Sequence, residues 1–564
     1  MDCVTIPKRD AGNPVEFKSC VKCDVAGNSC VPHFDPGPLL MPLRRQNMRR
    51  LSDLRIGVVV EDKLIPRWQE EFIEWLAAIE GCNLLEIDST GRHPEPRRPS
   101  RLFEFICAQS SHKCDPFREV PLGGNFTLND LPRSGIGQPH LDIVIWLSAQ
   151  RVLQKPCTSL ARFGVISFQL GDNRKSPPYF EEVANEDLLS RAIVWWHAER
   201  LDRARQLRTA KLATDQGLNF TRNAAQPLVA LAQMSATICL EMMEEGDDWL
   251  IQAKQIPEQK LLAVNSRPPS GVESARFVLL KLVRSFKRRL RNRGRRMGWF
   301  SVLRRNDLRS YIHSERFSAE SLREIPLPTG NQMADPFLLD HQGMTFLYFE
   351  EVSAGQSVGR IKCAEVRDDG SISTPTLVLE DNRNLSYPCV VLHQGECFMI
   401  PESGERRTVS LYRATHLPYE FTLETTYLDD VALSDTTPVF IEGTWYFFTT
   451  TYEPFMQSFL LWSDRLDGKW HLHPKSPISN SAQNSRGAGT IKIERGRMLR
   501  PTQDCSVRYG YAILINEIVR LTRTEFEERP VDRLLPTWHR GLLGTHTWNT
   551  SSKFEVFDGL RFLS

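Results

Sequence analysis

The chain has 564 residues, too many for one ordinary hydrophobic core, so its length predicts two or more domains. Its 41% apolar and 25% charged residues are typical of globular proteins, and a formal net charge of +2 argues against nucleic acid as a partner. No apolar run reaches transmembrane length and MDCVTIPKRDAGNP has no signal-peptide core, so we expect no transmembrane segment and a cytoplasmic location.

Residues 1–50 are rich in Pro, Gly and Arg and are expected to form a largely irregular extension. A C-x2-C pair and a C-x2-H pair within it offer thiolate and imidazole ligands for zinc, namely Cys20, Cys23, Cys30 and His33. No helix or hairpin pattern surrounds these pairs, so the favoured interpretation is unliganded cysteines, and no other metal site is predicted.

Residues 51–270 alternate apolar strands with helices. The strands LRIGVVV, CNLLEID, LDIVIWL and FGVISFQL, with the amphipathic stretch WQEEFIEWLAAIEG between the first two, predict a Rossmann-like α/β domain with a parallel sheet covered on both faces. No G-x-G-x-x-G follows the first strand, which argues against a dinucleotide cofactor.

The segments DIVIWLSA and RFGVISFQLGDNRKSPPYFEEV resemble the N-terminal domain of formyltransferases that use 10-formyltetrahydrofolate, over Leu54 to about Val183. The family's Asn-x-His motif is replaced here by Ser167 and Gln169. Because glutamine cannot titrate near neutral pH, the resemblance implies a formyltransferase-like fold that has lost its chemistry. No cofactor is firmly implied; 10-formyltetrahydrofolate would be bound only if this domain were active.

Residues 271–296 are predicted to form a basic amphipathic helix that links two domains. Leu279, Val283, Phe286 and Leu290 form one apolar stripe, and residues 281–305 contain eleven Lys or Arg and no acid. This pattern fits either a contact with phosphate, RNA or an anionic membrane, or a linker helix docked between domains. The docked linker is favoured because the overall charge is balanced and aromatic residues do not alternate with the basic ones.

From residue 297 onward the chain carries a repeat with a period near fifty residues. Its clearest copies are ADPFLLDHQGMTFLYF, YPCVVLHQGECFMIPES and DTTPVFIEGTWYFFTT, in which Asp335, Tyr387 and Asp435 each stand eight positions before a glycine. Looser copies begin at Arg486 and His546. Five hairpin-bearing repeats predict an all-β five-bladed propeller over residues 297–564, closed by pairing of EVFDGLRFL with GWFSVLRR.

The innermost strand of each propeller blade lines the central channel, so residues at the start of each repeat should meet at one funnel mouth. Acidic side chains there, from Asp335, Asp435 and nearby Glu402, are the kind of set that glycoside chemistry requires. The alternative for each aspartate is a turn residue beside proline.

The motifs ADPF, MIPES, GTWYFF, LRPTQD and HTWN resemble the five-bladed propellers of arabinanase, xylosidase and invertase-type glycosidases. They more closely resemble the N-terminal domain of glucosamine inositolphosphorylceramide transferases and their bacterial relatives. The resemblance implies a general base at Asp335 and a pKa-tuning role for Asp435, with Glu402 as a substitute acid. The predicted substrate-binding residues, suited to an anionic or hydroxylated ligand, are Tyr387, Arg486, Arg500, Gln503, Asp504 and His546.

Three functions stay open from the sequence. The first is a carbohydrate-active protein that binds and processes a glycoside or glycosyl conjugate in the funnel, as a glycoside hydrolase or glycosyl transferase. The second is a non-catalytic sugar or glycolipid-binding module. The third is a formyl or acyl transferase acting on a sugar-like or amine substrate that the propeller selects.

Overall fold

The computed structural model describes residues 53–60, 64–77, 79, 81–88, 119–121, 129–130, 141–147, 161–171, 178–199, 202–216, 222–261, 269–292, 295–306, 322–451 and 455–563. The candidate zinc ligands Cys20, Cys23, Cys30 and His33 lie outside these residues.

Ten strands, eight of them in one sheet, and five helices make up the described part of the N-terminal half. The strands are β1 Leu54–Val60, β2 Leu64–Pro66, β3 Cys82–Asp88, β4 Glu119–Pro121, β5 Asn129–Asp130, β6 Ile143–Trp146, β7 Val165–Leu170, β8 Leu189–His197, β9 Arg203–Ala213 and β10 Glu258–Lys260. The helices are α1 Arg67–Ala77, α2 Phe180–Asn185, α3 Arg222–Glu245, α4 Asp247–Gln255 and α5 Gly271–Asn292.

The sheet has the order β10-β9-β8-β7-β6-β1-β3-β5, while β2 and β4 pair separately. Strands β5, β3, β1, β6 and β7 run parallel, as the buried apolar runs predict. Strands β8, β9 and β10, which were not among the four strands identified from the sequence, are antiparallel. The link from β8 to β9 spans only residues 198–202, which is too short for the crossover that a parallel pair needs.

The core of this half lies between the sheet and two of the helices. Phe72 and Leu76 of α1 are buried against it, and α3 contributes an almost continuous buried run from Leu228 to Met243. Phe455 of the propeller belongs to the same apolar cluster. The backbone of Lys211 in β9 also bonds to residues 480 and 482 of the propeller, so the two halves are in direct contact.

Helix α5 docks through the face opposite to its predicted apolar stripe. Phe277 packs on Phe180 with ring centroids 5.0 Å apart, and the buried Lys281 ammonium donates to the side chain of Gln216 at 3.0 Å. The stripe itself points away from the protein: Leu279 and Phe286 are 63% and 65% exposed. The prediction that this stripe docks between two domains is therefore wrong.

Five separate antiparallel sheets form the C-terminal half and are the blades of a five-bladed propeller. Before blade 1 come β11 Met297–Arg305 and β12 Arg323–Glu324. Blade 1 contains β13 Gln332–His341, β14 Met344–Val352, β15 Gly359–Val366 and β16 Thr376–Leu379. Blade 2 contains β17 Ser386–His393, β18 Glu396–Glu402, β19 Val409–His416 and β20 Glu420–Leu428. Blade 3 contains β21 Ser434–Ile441, β22 Thr444–Thr451, β23 Gln457–Ser463 and β24 His471–Leu472. Blade 4 contains β25 Arg486–Gly487, β26 Lys492–Glu494, β27 Arg497–Asp504, β28 Ala512–Leu521 and β29 Phe526–Leu534; β30 Leu542–Gly544, β31 Trp548–Thr550 and β32 Phe554–Phe562 join β11 and β12 as blade 5.

The repeated glycines end two-residue hairpin loops. In each loop both residues have positive φ, as a type I′ turn requires: Gln342 and Gly343, Gln394 and Gly395, Glu442 and Gly443, and Arg495 and Gly496. The predicted closure is also confirmed, because β11 pairs with β32 from Met297 opposite Phe562 to Arg305 opposite Phe554. Blade 5 therefore contains strands from both ends of the propeller segment, which removes exposed sheet edges.

Candidate functional site at the propeller funnel

The repeat-start residues of the first three blades share an unusual backbone conformation. Asp335, Tyr387 and Asp435 have φ values of 49°, 45° and 51°, and each lies at a shift in the pairing register of its hairpin. A bulge with a left-handed residue redirects the side chain out of the normal alternation of a strand. Such strain recurring at one repeat position is typical of functional sites.

A polar cavity of about 230 Å³ opens at this end of the propeller, and we call it the funnel-mouth cavity. It is lined by Trp299, Gln332, Ala334, Asp335, Glu350, Val352, Asn384, Ser386, Glu402, Arg486, Tyr509 and His546. At roughly 30 Å³ per water molecule, the space equals that of seven or eight waters. It is therefore suited to one small hydroxylated ring or ionic group, not to a large apolar ligand.

Asp335 is buried in the cavity wall and has fixed partners. The Thr547 hydroxyl donates to its Oδ1 at 2.6 Å, and the Tyr387 backbone N–H donates to its Oδ2 at 3.3 Å. His546 Nε2 lies 3.8 Å from Asp335 Oδ1, while His546 Nδ1 lies 2.5 Å from Asp558 Oδ2. The imidazole therefore stands between two carboxylates.

The pKa values of Asp335 and His546 are shifted in the same direction. Burial raises the pKa of Asp335, and the negative charge of Asp558 adds to the rise, although His546 opposes it. Burial alone would lower the pKa of His546, but the carboxylates of Asp558 and Asp335 raise it above its ordinary value. Asp335 and His546 thus both keep a proton to higher pH than they would in water, which is one way in which a buried site tunes groups for acid–base chemistry.

The donor atoms of Asp335, His546 and Asp558 also lie within 4.8 Å of one another. Two carboxylate oxygens and one imidazole nitrogen are chemically suited to a divalent cation. A protonated His546 would oppose such binding, because metal ligands must be deprotonated.

Arg486 joins the second and third blades. Its Nε donates to Asp435 Oδ2 at 2.6 Å and its Nη2 donates to Glu402 Oε2 at 3.0 Å. Gln503 Nε2 adds a bond to Asp435 Oδ2 at 3.1 Å. Burial raises the pKa of Asp435 well above its usual range, although the Arg486 charge opposes this. The guanidinium also lies 4.9 Å from the ring centroid of Tyr509.

Glu350, on β14, is a carboxylate that the repeat analysis did not identify. Burial raises its pKa well above the usual range, and the neighbouring charges of Asp335 and Glu402 add to the rise. The Glu350 carboxylate is packed closely against Gly359. A Cβ added to Gly359 would lie 2.1 Å from Glu350 Oε1 and 2.8 Å from Asn384 Oδ1. A glycine is therefore required for this carboxylate to occupy its position.

The structure brings four of the predicted site residues to the cavity wall: Asp335, Glu402, Arg486 and His546. Asp435 and Gln503 lie directly behind Arg486. The Tyr387 hydroxyl is turned inward, where it pairs with Thr437 Oγ1 at 2.8 Å and accepts from the Gly489 N–H at 2.9 Å.

Like Tyr387 and Gln503, the predicted substrate-binding residues Arg500 and Asp504 do not line the cavity. The buried Arg500 makes a two-point pair with Glu528 at 2.8 and 2.6 Å, and Asp504 is paired with Arg533. Both therefore have structural partners within blade 4, and a binding role for them has no geometric support.

Sequence reasoning missed Asp558, Glu350, Trp299 and Tyr509. Asp558 lies in DGLRF on the closing strand and Glu350 lies on a second strand of a blade, so neither occupies the repeat-start position. Trp299 stacks on His546 with ring centroids 3.9 Å apart and an interplanar angle of 11°. Trp299 lies on β11, which pairs with the last strand. The predicted pairing of these two strands could have indicated that Trp299 lies near the fifth repeat.

The substituted formyltransferase motif lies on β7, remote in sequence from the propeller. Ser167 Oγ is 2.8 Å from His197 Nε2, and His197 Nδ1 is 3.0 Å from the Arg203 carbonyl. Gln169 accepts from the Trp195 indole at 3.0 Å and donates to the Gly171 carbonyl at 3.0 Å. The formyltransferase resemblance itself stays a prediction.

Comparison with known proteins agrees with the propeller repeat. Residues 317–558 match the family model described as "Glucosamine inositolphosphorylceramide transferase 1, N-terminal". The propeller resembles that domain. The glucosamine inositolphosphorylceramide transferase 1 of Oryza sativa subsp. indica is 32% identical over 227 residues, or 39% of this chain and 30% of that protein. The Arabidopsis thaliana protein of the same name is 31% identical over 227 residues, or 29% of its length. The chain thus spans about 30% of the length of these relatives.

Solved structures with a similar region include Zg3597, a family 117 glycoside hydrolase of Zobellia galactanivorans. It has 12% identity and a TM-score of 0.31, covering 46% of this chain and 90% of that one. The α-L-arabinanase of Cellvibrio cellulosa has 12% identity and a TM-score of 0.26, covering 39% of this chain and 82% of that one. The number of blades follows from the five sheets of this chain itself.

Proposed function

We propose that the funnel-mouth cavity binds one sugar ring of a glycosyl conjugate and that Asp335 acts on it as an acid–base group. The matching family is named for a glucosamine inositolphosphorylceramide transferase, which supports a ligand that contains a sugar. The size and polarity of the cavity suit one ring. Trp299 supplies an aromatic surface at its wall, and the carboxylates and Asn384 supply hydrogen-bond partners for hydroxyl groups.

The observation that carries the proposal is the position of the Asp335 carboxylate. It is buried, oriented by Thr547, and next to the His546–Asp558 pair. A carboxylate whose pKa is raised is a stronger base, which favours its taking a proton from an attacking water or hydroxyl. His546, when protonated, would stabilise the charged form of Asp335.

A glycosyl reaction also needs a proton donor for the leaving oxygen. Glu402 was the predicted acid, but it already accepts a hydrogen bond from Arg486. Glu350 lines the same cavity, and burial raises its pKa well above the usual range. Within the part of the chain that the structure describes, Glu350 is therefore the stronger candidate for the acid.

A second candidate function is sugar or glycolipid binding without turnover. The observation that favours it is Arg486, whose guanidinium engages both Asp435 and Glu402. Two of the three carboxylates to which the sequence assigned chemistry are thereby held in an ion-paired cluster. Such a cluster fixes the wall of a binding site without performing a reaction.

The variant Asp335→Asn distinguishes the two functions. It keeps the shape of the side chain and removes its ability to accept a proton. If the site is catalytic, sugar binding measured by calorimetry should persist in the variant while turnover of glycosyl substrates falls by about a hundredfold or more. If the unaltered protein binds a sugar but turns over none of the glycosides or sugar conjugates tested, the binding module is favoured.

Glu350→Gln is the companion variant. It should reduce turnover most for substrates with a poor leaving group, because these depend most on protonation. If Glu350→Gln leaves turnover unchanged while Glu402→Gln abolishes it, the acid is Glu402 as the sequence predicted.

A further inference from the structure

The exposed face of helix α5 is an unusual surface for this protein. Leu279, Val283, Phe286 and Leu290 recur at helical spacing and are 63%, 45%, 65% and 57% exposed. Val272, two turns before Leu279 on the same face, is 80% exposed. Isolated exposed apolar residues are ordinary, but a row of them along about five turns marks an interaction surface.

The helix cannot bury this row by rolling over, because its other face is already fixed. Phe277 packs on Phe180, and Lys281 is buried with its ammonium bonded to Gln216. Arg284 adds a salt bridge to Glu186 at 3.1 Å. The buried and exposed residues lie on opposite sides of the same helix, so docking leaves the apolar row facing outward.

The charge of this region identifies the kind of surface that would cover the row. Residues 281–305 contain eleven Lys or Arg and no Asp or Glu, although the whole chain has a net charge of only +2. Some of these cations have partners within the protein, but Lys287, next to Phe286 on α5, is exposed, and so are Arg295 and Arg296 in the segment after the helix. A helix with one apolar face and basic residues at its border is the form that lies in the interface of an anionic bilayer.

We infer that helix α5 is a membrane-surface anchor that inserts Leu279, Val283, Phe286 and Leu290 among anionic lipids. This goes beyond the proposed function and does not depend on it. A second copy of this chain is a poorer occupant, because pairing two α5 helices by their apolar rows would bring two basic borders together. None of the described helices is both long enough and apolar enough to cross a membrane.

The test is co-sedimentation of the full-length protein with vesicles of phosphatidylcholine alone and of phosphatidylcholine with 30 mol% phosphatidylserine (about one lipid in three, enough to give a strongly anionic surface). We expect binding to the anionic vesicles and little to the neutral ones. Raising the salt concentration should weaken the binding, because salt screens the lipid charge.

The double variant Phe286→Ser with Leu290→Ser should reduce the partition coefficient about tenfold or more. Lys287→Gln should reduce it about fivefold.

The matched control is Leu377→Ser with Ile493→Ser, which removes two exposed apolar residues from propeller blades. It should bind vesicles as the unaltered protein does, and circular dichroism should show the same fold for every variant. The inference is overturned if the unaltered protein does not bind anionic vesicles or binds neutral ones equally well. It is also overturned if the Phe286 and Leu290 changes leave the partition coefficient unchanged. It is also overturned if light scattering shows a dimer that these changes dissociate, because the row would then be a contact between copies.

Discussion

The two halves of this protein differ in what surrounds their clustered polar side chains. In the propeller, Asp335, Glu350 and His546 line an open cavity. In the α/β domain, Ser167 and Gln169 are bonded to neighbours within the same sheet. The described contacts of Ser167 and Gln169 are hydrogen bonds within the sheet, whereas the propeller groups also face space that a ligand can enter.

The largest effect should come from removing the cation that joins the propeller carboxylates. Arg486→Ala leaves Asp435 buried without its charged partner, so we expect a loss of about 3–5 kcal/mol in the free energy of unfolding. Arg465→Ala is the control, because its pair with Asp467 is exposed, and it should change the stability far less. Denaturant titration measures both, and equal losses would show that the Arg486 cluster is not a structural unit.

Gly359 tests the packing of the cavity wall. A methyl group there would meet Glu350 Oε1, so Gly359→Ala should displace this carboxylate and cost about 1–3 kcal/mol. Gly271→Ala, at the first residue of α5, meets no atom within 4 Å and should be neutral or slightly stabilising. Thermal unfolding compares the two; a neutral Gly359→Ala would mean that the wall is looser than its geometry indicates.

Ser167 tests the opposite half of the comparison. Ser167→Ala removes the partner of His197 Nε2 in a buried position and should cost about 1–2 kcal/mol, because a buried polar atom loses its hydrogen bond. Ser552→Ala, at an exposed side chain of the propeller, should change stability by less than about 0.5 kcal/mol. If Ser167→Ala is neutral in stability yet abolishes an acyl or formyl transfer activity, the polar pair on β7 is a site after all.

A smaller effect is expected from pH. The folded pKa of His546 is raised, so the stability due to its bound proton is complete below about pH 6.5 and is lost as pH rises through the folded value. The raised pKa of Asp335 acts in the same direction, starting from lower pH. Above pH 6.5 the His546 proton alone should lower the free energy of unfolding by at most about 1.4 kcal/mol per pH unit, and His546→Gln should flatten the fall by this share. An unchanged slope in His546→Gln would place the titration elsewhere.

Repetition explains why the propeller could be predicted from sequence. The hairpin glycines recur along the propeller, and so do the residues that begin each repeat. Because these residues occupy the same position in each repeat, the pattern predicted the blades. It also predicted that Asp335, Arg486 and His546 lie close together. Glu350 and Asp558 could not be predicted in this way, because they lie on strands outside that phase. Asp558 comes next to Asp335 through the closure of the ring, which brings β32 beside the first blade.

The α/β half was predicted less fully because its signals occur once. The apolar runs identified strands, but an apolar run does not reveal strand direction, so the antiparallel strands β8 to β10 were missed. The amphipathic pattern of α5 correctly gave an apolar stripe. It could not show which face docks, since Phe277 and Lys281 bury the other side through contacts with distant residues.

The most direct test of the central claim is ligand binding in the funnel-mouth cavity by saturation-transfer difference NMR with a panel of pentoses, hexoses, amino sugars and their methyl glycosides. We expect at least one sugar to receive saturation from the unaltered protein. Its signal should be lost in Trp299→Ala and in Glu350→Ala, but kept in Phe286→Ser on helix α5. A sugar signal that survives both cavity variants, or no signal from any sugar in the panel, would contradict the assignment of this cavity as a carbohydrate site.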